Sequence, residues 1–173
     1  VTPRTAGFNT ADFSQLSASG QMLTIILMLI GGSPGSTAGG MKTTTLAVLT
    51  ATAVSVFRRN ETPELFKRRI ATETVANAAS ILMMYLSLCL TGAFLISRIE
   101  ELPMMACMFE TASAVGTVGL SFGITPGLGS ISRIILIILM YLGRVGGLTL
   151  IYAALSGHRI RFGKYPLEKI TVG

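Results

Sequence analysis

The sequence predicts an all-α integral membrane protein assembled from pore-loop repeats, and three observations carry that prediction. Half of the 173 residues are hydrophobic and only 13% are charged, with a mean hydropathy of +0.65. A soluble domain usually carries about a quarter charged residues. Thr117-Val118-Gly119-Leu120 sits between a short amphiphilic run, residues 103–115, and a long apolar one, residues 131–155. A second element of the same form, Thr5-Ala6-Gly7-Phe8, stands in front of another long apolar stretch.

Taken in order, the first apolar run covers residues 22–30 and is followed by Gly31-Gly32-Ser33-Pro34-Gly35-Ser36-Thr37-Ala38-Gly39-Gly40. Apolar sequence then resumes to about Phe57. This reads as one span broken by a segment too rich in glycine and proline to stay helical. Irregular backbone at membrane depth survives only where protein or a water-filled cavity covers it, so the break is expected to face a pore. Residues 58–69 form a polar connection with five basic residues. Residues 71–97 are long enough to cross even when tilted. Residues 103–115 are too short to cross and lead straight into the Thr-Val-Gly-Leu element, as a re-entrant helix would. Residues 131–156 are the last span, and 158–173 a basic tail. The expected divisions are therefore 1–57 (loop and broken helix), 58–69 (basic connection), 70–157 (second repeat) and 158–173 (tail). The chain opens on Val1-Thr2-Pro3-Arg4 with no signal peptide, which reads as the C-terminal part of a longer protein.

Nine of the fourteen Lys and Arg residues fall in 58–69 and in the tail, so both segments should be cytoplasmic. An odd number of crossings then puts both Thr-x-Gly loops outside. An internal repeat agrees: Gly7 and Gly119 are 112 residues apart, as are Gly31 and Gly143, which interrupt the two following spans. Such repeats are expected as parallel copies about an axis along the membrane normal.

A Thr-x-Gly-hydrophobe loop at a membrane helix has the form of a selectivity filter, whose backbone carbonyls replace the water shell of a dehydrated cation. The bland alternative is an extended loop or a helix-packing glycine; the short preceding helix, the following span and the second copy favour the filter. Backbone groups of Thr5, Ala6, Gly7, Phe8, Thr117, Val118, Gly119 and Leu120 are the candidate ligands. Residues 35–45 nearly match a phosphate-binding loop, but Met41 intervenes between Gly40 and Lys42, and a membrane helix stands where a strand is required. The better reading is a hydrated, movable constriction below the filter, with Gly35, Ser36, Thr37, Gly39, Gly40 and Lys42 as candidate gate residues. Arg144, deep in the last span, costs about 2.5–3.5 kcal/mol to insert without a partner. It either bonds helix-end carbonyls or reaches the broken loop and helps set the gate. Glu110 either attracts cations or anchors the re-entrant helix. Cys89 and Cys107 read as small buried hydrophobes. His158 has no ligating companions, and no nucleophile, acid/base pair or zinc spacing points to an enzyme.

These elements resemble the Trk/Ktr/HKT superfamily of potassium-translocating membrane subunits, most closely the bacterial Ktr/Trk type. Residues 2–10 (Thr-Pro-Arg-Thr-Ala-Gly-Phe-Asn-Thr) are similar to its third filter loop and residues 109–121 to its fourth. Residues 35–45 resemble the intramembrane loop of the third repeat, Gly143-Arg144-Val145-Gly146 the arginine-bearing segment of the fourth, and Tyr165-Pro166-Leu167-Glu168-Lys169-Ile170 the usual ending. The resemblance implies a pseudo-fourfold, potassium-channel-like pore of four M1–P–M2 repeats in one chain, of which this sequence holds the end of the third and all of the fourth. It further implies a homodimer in the cell (inner) membrane, seated on a cytosolic nucleotide-binding regulatory ring of RCK/KTN type. Potassium would be the transported ion and sodium a candidate modulator, with no covalent cofactor and no nucleic-acid partner. The basic residues of 58–69 and the tail either dock that ring or simply enforce topology. Neither loop carries the full Thr-Val-Gly-Tyr-Gly of potassium channels. The rival readings are a sodium-coupled or sodium-permeable transporter and a non-conducting assembly subunit whose glycines serve close helix packing.

Overall fold

A computed structural model describes residues 2–9, 13–59, 63–65 and 68–146. Five α-helices follow one another: α1 (Ala18–Leu29), α2 (Thr43–Phe57), α3 (Thr72–Glu100), α4 (Met104–Val115) and α5 (Ser130–Val145). A two-residue antiparallel pair, β1 (Glu64–Leu65) with β2 (Arg68–Arg69), closes the connection between α2 and α3. Single 3-10 turns, Thr2–Arg4, Phe13–Gln15 and Thr125–Gly127, precede and follow the Thr-x-Gly loops.

α3 is the one described helix long and apolar enough to cross a membrane by itself; its 29 residues extend about 43 Å at 1.5 Å per residue. Ala78, Tyr85, Cys89, Gly92, Ala93 and Ile96 are its buried residues. Their steps of three, four and seven mark a single stripe. Met83, Leu86, Leu90 and Phe94 lie on the opposite face and are exposed. An apolar face turned away from protein on so long a helix suits lipid. α4 is the converse case. Cys107 and every residue from Phe109 to Val115 are buried, so this 12-residue helix is surrounded by protein although, at about 18 Å, it is too short to cross. α3 ends because Glu101 takes the left-handed conformation (φ 54°) and Pro103 follows. Glu100 reaches across to cap the start of α5, accepting from the Gly129 N–H at 2.8 Å and the buried Ser132 hydroxyl at 2.6 Å. A carboxylate at that end also suits the helix dipole.

The 112-residue offset governs backbone geometry as well as sequence. Thr5 N–H donates to Thr2 O at 3.1 Å, and Thr117 N–H to Ala114 O at 3.1 Å. Leu16 N–H donates to Phe13 O and Leu128 N–H to Thr125 O, both at 3.3 Å. α1 begins at Ala18 and α5 at Ser130, again 112 apart. The copies diverge farther on: α1 stops at Leu29, whereas α5 continues through Gly143.

Two boundaries differ from the sequence reading. The constriction assigned to residues 35–45 ends at Lys42, because Thr43–Phe57 is helix and its threonines form the first turn. The interruption of the last span expected at Gly143 comes instead after Val145, where α5 ends with Gly146 at φ 84°. The remainder of that span and the basic tail, including Arg159, Arg161, Lys164 and Lys169, lie outside the described residues. So do Asp12, Glu61 and Lys67.

Gly143 is where α5 meets α4: a Cβ there would stand 1.9 Å from Val115 O. The Tyr85 hydroxyl donates to Gly143 O at 3.2 Å from the other side. Gly143→Ala must therefore push α5 off α4, and overpacking of this kind costs about 1–3 kcal/mol. The thermal midpoint of the detergent-purified protein is expected to fall by several degrees, whereas Ile134→Ala on the exposed face leaves it nearly unchanged.

Candidate functional site

The two Thr-x-Gly loops lie against each other. A Cβ on Gly119 would meet Gly7 Cα at 3.3 Å, and one on Gly7 would meet Val118 O at 3.0 Å. Each loop has left-handed backbone at the same two places, Thr5 (φ 51°) and Gly7 (φ 74°) in the first, Thr117 (φ 51°) and Gly119 (φ 84°) in the second. For a β-branched residue that is an outlier, costing about 1–3 kcal/mol. Its repetition in register marks a common backbone requirement. In the second loop the Val118 and Leu120 side chains are 2% and 3% exposed, packed with Ile25, Met28 and Phe109. What the loop can present to a ligand is thus backbone. In the first loop Ala6 and Phe8 are exposed.

Glu110 holds the second loop to α4. One carboxylate oxygen accepts from the Ser121 hydroxyl and from the Phe122 N–H at 3.1 Å; the other accepts from the Thr125 hydroxyl at 3.0 Å. The residue is 5% exposed. Of the two sequence readings, anchoring is the one the structure displays. Phe122 then stacks on Phe109 with centroids 3.8 Å apart, and Phe13 of the first copy packs on the same ring at 5.7 Å.

Behind the loops lies the break between α1 and α2. Its ends are tied by Gly31 N–H to Met41 O (2.7 Å), Met41 N–H to Leu29 O (3.0 Å) and Thr43 N–H to Gly32 O (3.2 Å). Within it, Lys42 Nζ donates to Ser36 O at 3.0 Å and Ala38 O at 2.6 Å. Gly39 presses on the second loop so closely that a Cβ would fall 2.1 Å from Thr117 Oγ1. Arg144, in the last turn of α5, donates to Thr37 O. The sequence left open whether Arg144 bonds helix ends or the broken loop; it bonds the loop.

These parts enclose a cavity of about 710 Å3 whose lining includes Thr5, Thr37, Ser113, Thr117, Gly119 and Arg144. α4 ends on it, bringing the negative end of the helix dipole to its wall. The Thr117 hydroxyl is a buried oxygen without a hydrogen-bond partner among the described residues. Arg4, Arg144 and Glu110 also line the cavity, so both signs of charge stand around it, and the α4 C-terminus is the feature of its wall that favours a cation. Of the sequence-predicted residues, those at positions 5, 7, 37, 39, 117–120 and 144 come together here. Gly35 is at the outer turn of the break, with nothing within 4 Å of a Cβ. Sequence reasoning missed the Glu100 cap and the Tyr85 bond to Gly143. The Ser121 and Thr125 hydroxyls, one helical turn apart in spacing and just past the loop, were the available signal for the Glu110 anchor.

Residues 1–159 match the family model described as TrkH, cation transport protein. The chain is 42% identical to the potassium/sodium uptake protein NtpJ of Enterococcus hirae, over 100% of this chain and 40% of that protein. It is 37% identical to the Ktr system potassium uptake protein B of Bacillus subtilis, over 100% of this chain and 39% of that protein. It therefore spans about 40% of the length of the curated relatives it matches. In fold it is similar to the crystal structure of the potassium transporter TrkH from Vibrio parahaemolyticus, with a TM-score of 0.75, 20% identity, and coverage of 88% of this chain and 34% of that one.

Replacing Glu110 with alanine removes the acceptor of one backbone N–H and two hydroxyls, none of them buried, at about 0.5–1.5 kcal/mol for each bond lost. Glu110→Gln keeps one acceptor oxygen. The expected order of thermal midpoints is wild type, then Gln, then Ala, and equal midpoints for the three would remove the anchor role.

Proposed function

Because the chain belongs to the TrkH family of cation transport proteins, we propose that it forms part of the wall of a potassium-uptake pore, as the C-terminal portion of a longer subunit. The observation that carries this reading is the pair of Thr-x-Gly loops, alike in backbone handedness and touching at Gly7 and Gly119. Carbonyls of residues 5–8 and 117–120 would take the place of the ion's hydration shell, with Gly7 and Gly119 admitting the backbone angles that this needs. Val118 and Leu120 hold the second strand from behind, and the α4 C-terminus favours a cation in the cavity below it.

The loop between α1 and α2 would be the gate. Gly35, Ser36, Thr37, Gly39, Gly40 and Lys42 make up its moving part, and Arg144 would hold it across the cavity. The repeated geometry at a 112-residue offset supports two quarters of a pseudo-fourfold assembly of M1–P–M2 units, to which the remaining repeats of the subunit would add the facing wall. Arg58, Arg59, Arg68 and Arg69 around the β pair support a cytoplasmic side for that connection and an outer side for the loops. Homodimerisation and a cytosolic nucleotide-binding ring belong to the same proposal. The Ktr system relative is named as a component of a system, which suits a regulatory partner for this chain.

A second reading, permeation of sodium as well as potassium, is favoured by one observation. Phe8 and Leu120 follow the two loop glycines where Tyr-Gly completes a potassium-channel filter, and the Enterococcus relative is named for both ions.

The test is rubidium and potassium uptake by the full-length protein in a host deficient in potassium uptake, comparing wild type with Gly119→Ser. The variant is expected to lose preference for potassium over sodium by about tenfold or more, which corresponds to about 1.4 kcal/mol. Unchanged preference at normal expression would sink the filter. Arg144→Ala is expected to raise uptake in cells lacking the regulatory partner, and identical flux and regulation would remove Arg144 from the gate.

A further inference from the structure

Three consecutive carbonyl oxygens of the broken loop each accept from a cationic side chain. Ser36 O and Ala38 O both take Lys42 Nζ, at 3.0 and 2.6 Å, and the oxygen between them, Thr37 O, takes the Arg144 guanidinium. Two carbonyls bonded by one nitrogen point at one place, and what sits there is a primary ammonium, close in size and charge to a dehydrated potassium ion. Lys42 is also the N-cap residue of α2, the end of a helix dipole that disfavours positive charge. Its place therefore depends on those two oxygens. The loop meets the requirement for this by turning through left-handed backbone at Gly35 (φ 82°) and Gly40 (φ 73°).

We propose that residues 36–38 are a cation-binding site, filled here by the protein's own ammonium and guanidinium groups, and that a permeating potassium ion leaving the cavity competes with Lys42 for Ser36 O and Ala38 O. This rests on the permeation reading above and adds a second station to it, below the filter. The intrinsic cations close the loop in the ion's absence. An arriving ion takes over the same oxygens, releases the Lys42 tether and loosens the loop that lies under Thr117. The unfavourable dipole of α2 keeps the ion's stay short, as conduction requires of any site along a pore.

Rubidium is the probe, and the filter is the internal control. In rubidium-soaked crystals of the full-length protein, Lys42→Met keeps the apolar stem and removes the charge, and an anomalous peak is expected between Ser36 O and Ala38 O that Lys42→Arg lacks. A peak at the filter loops with none at residues 36–38 of Lys42→Met overturns the loop site and leaves the filter standing. No peak at either place overturns both. Should Lys42→Met fail to fold, amine acylation of the unaltered protein decides: Lys42 is expected to be modified several-fold faster in potassium than in an impermeant organic cation. Equal rates refute the competition.

Discussion

Backbone leaves regular helix within a membrane only where its freed amides find partners, and that constraint shapes this fold. The described chain departs from helix in the two Thr-x-Gly loops and in the break between α1 and α2. All three are stacked on one another, so that each supplies cover for the next. Gly39 rests on Thr117, Gly119 on Gly7, and the break closes its own ends through Gly31, Met41 and Thr43. The helices are arranged to make this stack possible. α4 is buried beside it from Phe109 to Val115, α1 and α5 stand as equivalents 112 residues apart, and α3 gives one stripe to the interior and leaves an apolar face turned outward.

The polar side chains of the interior serve the same constraint. Glu110 spends its carboxylate on three donors of the segment after the second loop, and Glu100 spends its own on the first residues of α5. Such charge-assisted bonds are stronger than neutral ones, and here each joins elements that hydrophobic packing alone would leave free to slide. The aromatic triple of Phe13, Phe109 and Phe122 extends the support across the boundary between the two copies. In the second loop the Val118 and Leu120 side chains are turned into the core, which leaves its backbone free to meet a ligand.

Much of this could be read from the sequence because periodicity and glycine placement carry it. Thr117-Val118-Gly119 and its copy at Thr5-Ala6-Gly7 pointed to the two loops that meet at Gly7 and Gly119, and their 112-residue spacing disclosed the repeat. The run Gly31 to Gly40 announced the break. What could not be read are the contacts that depend on three-dimensional approach. Nothing in the neighbourhood of Tyr85 points to Gly143, 58 residues away, and nothing near Glu100 indicates Gly129. The near match of residues 35–45 to a phosphate-binding loop draws the threonines 43–45 into the constriction, whereas they open α2. Arg144 stands between these cases. Its place in an apolar run called for a partner, but which carbonyl it found was a matter of geometry.

α5 is fixed near both of its described ends, by Glu100 at Gly129 and Ser132 and by the notch at Gly143 that admits Val115 O. A beam pinned at two points carries load without swinging. Arg144 lies immediately beside the second pin, so its guanidinium is mounted on the stiffest part of the frame. The loop it holds meets Arg144 through one bond, at Thr37 O, and has open space around Gly35. Any force applied across that joint is therefore taken up by the loop, while the beam stays where it is.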